Sequence, residues 1–496
     1  MLLFVKRWMP GALAFVTAGS VLIMEIVASR LLAPYVGVTL QTYTAIIGTV
    51  LAGISAGAFT GGRLADRVPP SRVLGPVIVV GGAFVLFALP MLRIVGHWSD
   101  SGGSLGAVLL AGGAFLLPAA TLSMVSPLLI KLSMTSLATA GAAVGRVEAS
   151  GTAGAIFGTF FAGFVLVARL GSNSILVAEG ISLCVLGVVV HLLLNRRASR
   201  PLVAALVFAG MGLGSSQFRS QLCAYETRYF CVNIQADGGR PGGRLLFLDQ
   251  LMHSYVDLDD PTYLAFEYVQ GIVAGIEAVR PAGPVRAVHV GGGGFTVPQY
   301  LRETRPGSVN VVIERDAGLV KLDEEHLGLV QGNGLSAVSG DGRVVLAEQS
   351  AGDWDVVVGD AFSGEAVPWH LATREFTVTI HDRLRPGGLY ALNVIDSPPK
   401  PGEPGRFIRA EMATVASVFR HVAVATSDVA WTGQFGDNFV VYASDEPLPL
   451  AAITANLEAR GTGWNVHAGA DLTRWIGDAQ VLTDEFAPVD QLLTVA

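Results

Sequence analysis

The chain has 496 residues, of which 51% are hydrophobic and only 15% charged, with 60 glycines and three cysteines. That length suits about three average domains, and the low charge excludes a disordered chain, a coiled coil and an ordinary fully soluble enzyme. Net charge is +8 over residues 1–200 and −15 beyond them, which points to a membrane half joined to an acidic soluble half and argues against nucleic acid as a partner.

A spanning helix needs about 20 apolar residues. Seven runs qualify or come close: Pro10–Ala28, Thr42–Gly62, Val73–Leu92, Leu105–Ile130, Gly151–Ala168, Ser174–Leu194 and Pro201–Ser216. Pro118 and Pro127 predict a kink in the fourth. Lys6, Arg7, Arg63, Arg67, Arg72, Lys131, Arg146, Arg196, Arg197 and Arg200 fall on one set of loops. Arg30, Arg93 and Arg169 fall on the other. The imbalance places the N-terminus in the cytoplasm of a multi-pass plasma-membrane protein. The last run decides the side of the soluble half. If it crosses, that half is extracytoplasmic, the side the charge count favours; if it lies in the interface, that half is cytoplasmic. Cys223 and Cys231 form a disulfide in the first case or stay two thiols in the second.

Glu25, Glu148 and Glu179 lie in or near these runs, where a central charge costs roughly 3 kcal/mol. Glu25 and Arg30 are read as an ion pair near one end of the first span, or as part of a cation path. Arg146 and Glu148 are read as loop residues.

Beyond residue 222 the pattern changes to short β-rich runs broken by Gly, Pro and Asp. Arg228–Gln235 and Arg244–Tyr255 read as a strand pair, followed by a helix over Tyr263–Val279. Strand candidates then alternate with helices: Val285–Val290, Val309–Glu314, Val344–Leu346, Trp354–Gly359, Gly388–Ile395 and Phe439–Ala443. The expected fold is an N-terminal all-α transmembrane bundle of about seven helices (1–218), a small β-rich region (219–262) and a C-terminal α/β domain (263–496). Ligands of such a sheet bind at the carboxyl ends of its strands.

Each candidate chemical residue sits at such an end. Val290 runs into Gly291, Gly292, Gly293 and Gly294, where backbone N–H groups can approach a ligand. Glu314, 20 residues past Gly294, suits a ribose diol. Asp341 and Gly342 are placed for an adenine edge. Asp360 ends the next strand, followed by Ser363 and Glu365. Together they outline a nucleoside site with a carboxylate at the reacting edge. His253, His289 and His370 have no matching Cys/His cluster, so no metal site is expected.

These residues resemble the spermidine synthase (aminopropyltransferase) family, on a methyltransferase-like sheet, over roughly residues 222–445. The whole chain is similar to bacterial membrane proteins that fuse a transporter-like helical domain to a spermidine synthase-like domain. The stretches "EIVASRLLAPYVG" (25–37), "GGRLADR" (61–67), "LDQLMHSYVDLDDPTYLAFEY" (248–268), "GDAFSGEAVPWHLATREF" (359–376) and "LTDEFAPVDQLL" (482–493) carry the match.

The resemblance implies aminopropyl transfer from decarboxylated S-adenosylmethionine to a diamine such as putrescine, with no permanently bound cofactor and a homodimer as assembly. Asp360 is then the base that takes the amine proton. Gly291, Gly292, Gly293, Glu314, Asp341, Gly342 and His253 line the donor site. Asp249, Asp360, Ser363 and Glu365 face the polyamine. The loop departs from the family's Gly-Gly-Gly-Asp-Gly, having Gly294 and Phe295 in place of Asp-Gly. Ser363 replaces a second aspartate, and His253 stands where a glutamine is usual. The alternatives are a non-catalytic polyamine or nucleoside sensor or transport-coupled binding protein, and another S-adenosylmethionine-dependent transferase.

Overall fold

The computed structural model describes residues 2–37, 39–96, 104–134, 136, 139–195, 197–216, 223–362 and 367–493. It divides into two compact units, Met1–Cys231 and Val232–Ala496.

The first unit is helical: α1 (Leu2–Val36), α2 (Leu40–Arg67), α3 (Pro70–Gly96), α4 (Ser104–Ser123), α5 (Val125–Ser133), α6 (Ala140–Phe161), α7 (Ser172–Asn195) and α8 (Arg200–Ser216). Among the described residues, six stretches are long and apolar enough to cross a membrane: Trp8–Val36, Leu40–Arg67, Pro70–Gly96, Leu105–Ser133, Ala140–Leu166 and Ser172–Asn195. The seventh expected span, α8, is apolar but shorter. The expected kink is a break at Met124 between α4 and α5. There the Met124 N–H is shared between the carbonyls of Ala120 and Thr121, and Pro127 has no N–H to continue the ladder. Arg146 and Glu148 are not in a loop. The Ala-rich stretch before Gly151 extends α6 back to Ala140, and Glu148 accepts from Ser126 Oγ at 2.7 Å.

Glycine lets these helices meet backbone to backbone. A Cβ on Gly57 of α2 would lie 2.0 Å from the Ala120 carbonyl of α4, and one on Gly154 of α6 2.0 Å from the Phe15 carbonyl of α1. Small residues serve this purpose where no hydrophobic force drives helices together.

The ends of the bundle are tied. At one end Asn195 Nδ2 donates to the Ser71 carbonyl (2.6 Å), and Lys131 pairs with Asp66 (2.9 Å). At the other, Arg30 pairs with Glu226 (3.1 Å), not with Glu25 as the sequence suggested. Arg30 also donates to the carbonyls of Thr227 and Arg228, while Glu226 accepts from the Ser172 N–H. Cys223 and Cys231 close a disulfide across this segment.

Four strands follow: β1 (Tyr225–Glu226), β2 (Cys231–Ala236), β3 (Gly243–Leu248) and β4 (Leu251–Asp257), forming one sheet in chain order. The expected single strand Arg244–Tyr255 is thus two. Asp249, with φ 56°, opens a two-residue turn between β3 and β4.

The remainder is α9 (Glu267–Val279), β5 (Arg286–Val290), α10 (Thr296–Thr304), β6 (Val309–Glu314), α11 (Ala317–His326), β7 (Leu335–Ser339), α12 (Gly342–Ala347), β8 (Trp354–Gly359), α13 (Arg374–Arg383) and β9 (Leu384–Asp396). Then come α14 (Arg406–Ala416), β10 (His421–Thr426), α15 (Asp428–Trp431), β11 (Asp437–Ser444), α16 (Leu450–Arg460), β12 (Asn465–Ala468), α17 (Gly469–Ile476) and α18 (Val489–Leu492). The eight strands run β12-β10-β11-β9-β8-β5-β6-β7. The five from β9 to β7 pair in parallel, and the pairs β9–β11, β11–β10 and β10–β12 are antiparallel.

Alternation along the strands feeds two cores. Val288, Val290 and Val357 pack on one face with Phe376 and Phe407; Ala287, Val356 and Val358 pack on the other with Ile272 and Leu301. One strand expectation fails outright. Val344–Leu346 belongs to α12, because Asp341 caps that helix by accepting from the N–H groups of Arg343 and Val344. The third parallel strand is β7, and β10 and β12 were not foreseen.

Candidate active site

The carboxyl ends of β5, β6, β7 and β8 converge on the glycine turn. Gly291 has φ 102°, and a Cβ there would lie 2.1 Å from the Asp360 carbonyl, so only glycine fits between β5 and β8. The Asp360 N–H donates to the Val290 carbonyl at 2.9 Å. The Gly292 N–H donates to Glu314 Oε2 (2.9 Å), and the Asp316 N–H to Glu314 Oε1 (2.9 Å). The Gly294 N–H donates to Ser254 Oγ of β4 (2.9 Å), and Thr296 Oγ1 donates to the Tyr255 carbonyl (3.0 Å). The small sheet therefore buttresses the turn.

Phe295 occupies the position where the resembling family has glycine, and its backbone is left-handed all the same (φ 56°, ψ 31°). That conformation costs roughly 1–2 kcal/mol for a side-chain-bearing residue. Full burial of the ring among Val312, Val320, Leu329 and Leu335 offsets it.

Asp360 is the reactive candidate. Burial pushes its carboxyl up to about 6, opposed by Asn393 Nδ2 of β9, which donates to Asp360 Oδ1 at 2.9 Å. Its charge in turn raises the Tyr268 phenol, already raised by burial, and Tyr268 Oη donates to the His253 carbonyl (3.3 Å). Burial lowers His253 to about 4, so its imidazole is neutral at physiological pH. Glu314 is 7% exposed, and burial raises its carboxyl despite the two backbone donors.

Asp341 lies one strand over. Burial would raise its carboxyl, but the Val344 N–H, His370 and the Arg343 N–H hold it low, with His370 Nε2 3.0 Å from Oδ2. Gly342 lets the start of α12 settle on β5, since a Cβ would lie 2.6 Å from Val290 Cγ1. The C-terminal segment closes this edge. Asp484 takes a two-pronged contact from Arg343 (2.6 Å each) and a bond from Thr373 Oγ1 (2.8 Å).

The structure thus brings Gly291, Gly292, Gly293, Glu314 and Asp360 together, links His253 to them through Tyr268, and sets Asp341 and Gly342 at the adjoining strand end. Asp249 lies in the β3–β4 turn. Ser363 and Glu365 lie outside the described residues. Three contributors were not anticipated: Ser254, Tyr268 and Asn393. Asn393 had a readable signal, an amide inside the apolar strand run 389–395. His289 is a packed core residue, with Nε2 3.1 Å from Asn310 Oδ1 and its imidazole lowered to about 4 by burial. Among the described residues no cluster of three His, Cys, Asp or Glu is placed to hold a metal ion.

The chain is 25% identical over 247 residues to the polyamine aminopropyltransferase of Vibrio vulnificus, covering 46% of this chain and 75% of that protein. It is also 24% identical over 221 residues to a probable polyamine aminopropyl transferase of Bifidobacterium longum, covering 42% of this chain and 48% of that protein. Both named relatives are transferases. Among solved structures, a probable spermidine synthase from Corynebacterium glutamicum shares 28% identity, with a TM-score of 0.49, covering 55% of this chain and 98% of that one. The spermidine synthase of Thermotoga maritima shares 15%, with a TM-score of 0.34, covering 53% and 81%. No family model matches.

Proposed function

We propose that the α/β unit is an aminopropyltransferase that uses decarboxylated S-adenosylmethionine and an amine of the putrescine class. Asp360 carries the reading: a buried carboxyl at a strand end, beside a glycine turn, with a donor that keeps it ionisable. The acceptor ammonium gives a proton to Asp360. The freed nitrogen lone pair forms the new C–N bond, and the C–S bond electrons return to the sulfonium sulfur, releasing methylthioadenosine. Glu314 takes the ribose hydroxyls, and Asp341 with Gly342 borders the adenine. The rate comes mainly from alignment of amine, carbon and sulfur. Asp249, Ser363 and Glu365 are the proposed contacts to the far end of the amine.

The experiment is incubation of the full-length protein with decarboxylated S-adenosylmethionine and a panel of diamines, read by mass spectrometry. Methylthioadenosine together with a product heavier by one aminopropyl unit supports the reading. One observation favours a second reading: the turn has Gly294 where a carboxylate is usual. Ligand binding with no product would replace the transferase by a sensor.

We also infer that the helical unit spans the membrane seven times. Asn195 is tied to one end of the bundle, and Glu226, past α8, is clamped to the other by Arg30 and Ser172. The chain between them must traverse the bundle. A helix of 17 residues reaches about 25 Å, near the thickness of the hydrocarbon core. With the basic loops cytoplasmic, the α/β unit begins outside, where the Cys223–Cys231 disulfide persists. Alkaline phosphatase fused to the C-terminus should be active and a fluorescent-protein fusion dark; the reverse pattern would overturn this topology.

A further inference from the structure

Glu179 sits about two turns into α7, 9% exposed, and neither of its carboxyl oxygens has a hydrogen-bond partner among the described residues. The Ser20 hydroxyl of α1 is the polar group acting on it, without closing a full hydrogen bond. No ion pair among the described residues involves it. Other titratable and charged groups on the elements packed against α7 lie elsewhere. Among the described side chains these are Glu25, Arg30 and Tyr35 on α1, Arg72 and Arg93 near the ends of α3, and Arg200 on α8. On α7 itself, Cys184 donates to the Val79 carbonyl at 3.6 Å, and His191 packs against Gly75 of α3 three turns further on.

The surroundings are tight. A Cβ on Gly180 would lie 2.6 Å from Leu86 Cγ, and one on Gly19 2.9 Å from the Gly154 carbonyl. Such packing suits no hydrated ion and no ammonium. An unpaired carboxylate here would cost several kcal/mol, whereas the neutral acid forgoes only its hydrogen bonds. A second observation marks the neighbouring contact, between α1 and α6. The α6 helix, whose Gly158 packs on Gly19, ends in a π turn over Ala162–Leu166. Such turns recur where helices shift in function.

We propose that Glu179 is a proton-binding site of the helical bundle, an acid that holds its proton when α1 and α7 are closed and releases it when their contact opens. The inference is independent of the transferase reading, because it uses no residue of the α/β unit.

The test uses the full-length protein in phosphatidylethanolamine–phosphatidylglycerol vesicles and dicyclohexylcarbodiimide, which reacts with protonated carboxyls in apolar surroundings. Adducts are located by peptide mass spectrometry. Glu179 should be modified at least about tenfold faster near pH 6 than near pH 9, and Glu179→Gln should lose the adduct. Glu179→Asp keeps an acid and should retain it, which carries the test if the Gln variant does not fold. No adduct on Glu179, or a rate equal across that pH range, would overturn the proposal; the latter would mean an acid that never gives up its proton.

Discussion

Glu314 in the α/β unit and Glu179 in the bundle are buried to nearly the same extent, 7% and 9% exposed, yet their surroundings differ in kind. Glu314 receives two backbone N–H donors, and Asp360 beside it receives the Asn393 amide. Glu179 accepts no full hydrogen bond from the described residues, only the influence of the Ser20 hydroxyl. Donors keep a buried carboxylate aimed and ionisable; without them nothing offsets the cost of burying its charge. Glycine differs in parallel. In the bundle it brings two helices into backbone contact. In the site, Gly291 brings two strands together under a left-handed turn. The same residue types serve packing in one unit and the proposed site in the other, and the donors around them differ accordingly.

The largest expected effect that would break this contrast lies at the proposed base. Asp360→Asn should lower turnover by roughly 10²–10⁴-fold while nucleoside binding, by calorimetry, changes little. Near-normal turnover would remove Asp360 from the chemistry. The bundle comes next. Gly154→Val places atoms into the Phe15 carbonyl and should cost about 3 kcal/mol or more, seen as a lower Tm in detergent. Gly48→Ala, with nothing within 4 Å of a Cβ, should leave Tm nearly unchanged.

Smaller effects sharpen the comparison. Glu314→Gln should weaken nucleoside binding by roughly 10–100-fold, because a charge-assisted contact to the ribose becomes neutral. The same Asp360→Asn change should also stabilise the fold. Burial raises the Asp360 carboxyl to about 6 in the fold, above its ordinary value of 3.8, so its ionisation disfavours the folded state as pH rises past 3.8, with the full cost present above about 6. The gain should be about 1–3 kcal/mol at pH 8 and vanish near pH 4 by denaturant titration. Asn393→Ala removes the donor that lowers Asp360, so the acid limb of the rate profile should move to higher pH. An unmoved limb would mean the amide does not tune the base.

Much of the α/β unit was legible because the candidate site residues sit at strand ends there. Val309–Glu314 and Trp354–Gly359 were read to the residue, each an apolar run ended by an acid or glycine. Val344–Leu346 misled because three β-branched or aliphatic residues in a row resemble a strand, whereas the cap at Asp341 starts a short helix. The clamp of Arg30 on Glu226 was invisible, since its partners are 196 positions apart and Glu25 was the nearer acid in sequence. Asn393 could have been noticed as a lone amide in an apolar strand; that it faces Asp360 needed the β8–β9 register.

The pH–rate profile of methylthioadenosine release by the full-length protein tests the central claim most directly. Aminopropyl transfer through Asp360 predicts a rate that falls about tenfold per pH unit below an inflection near pH 6, the position set by the buried carboxyl. A rate flat through that region, or no methylthioadenosine at any pH with every diamine tried, would contradict it.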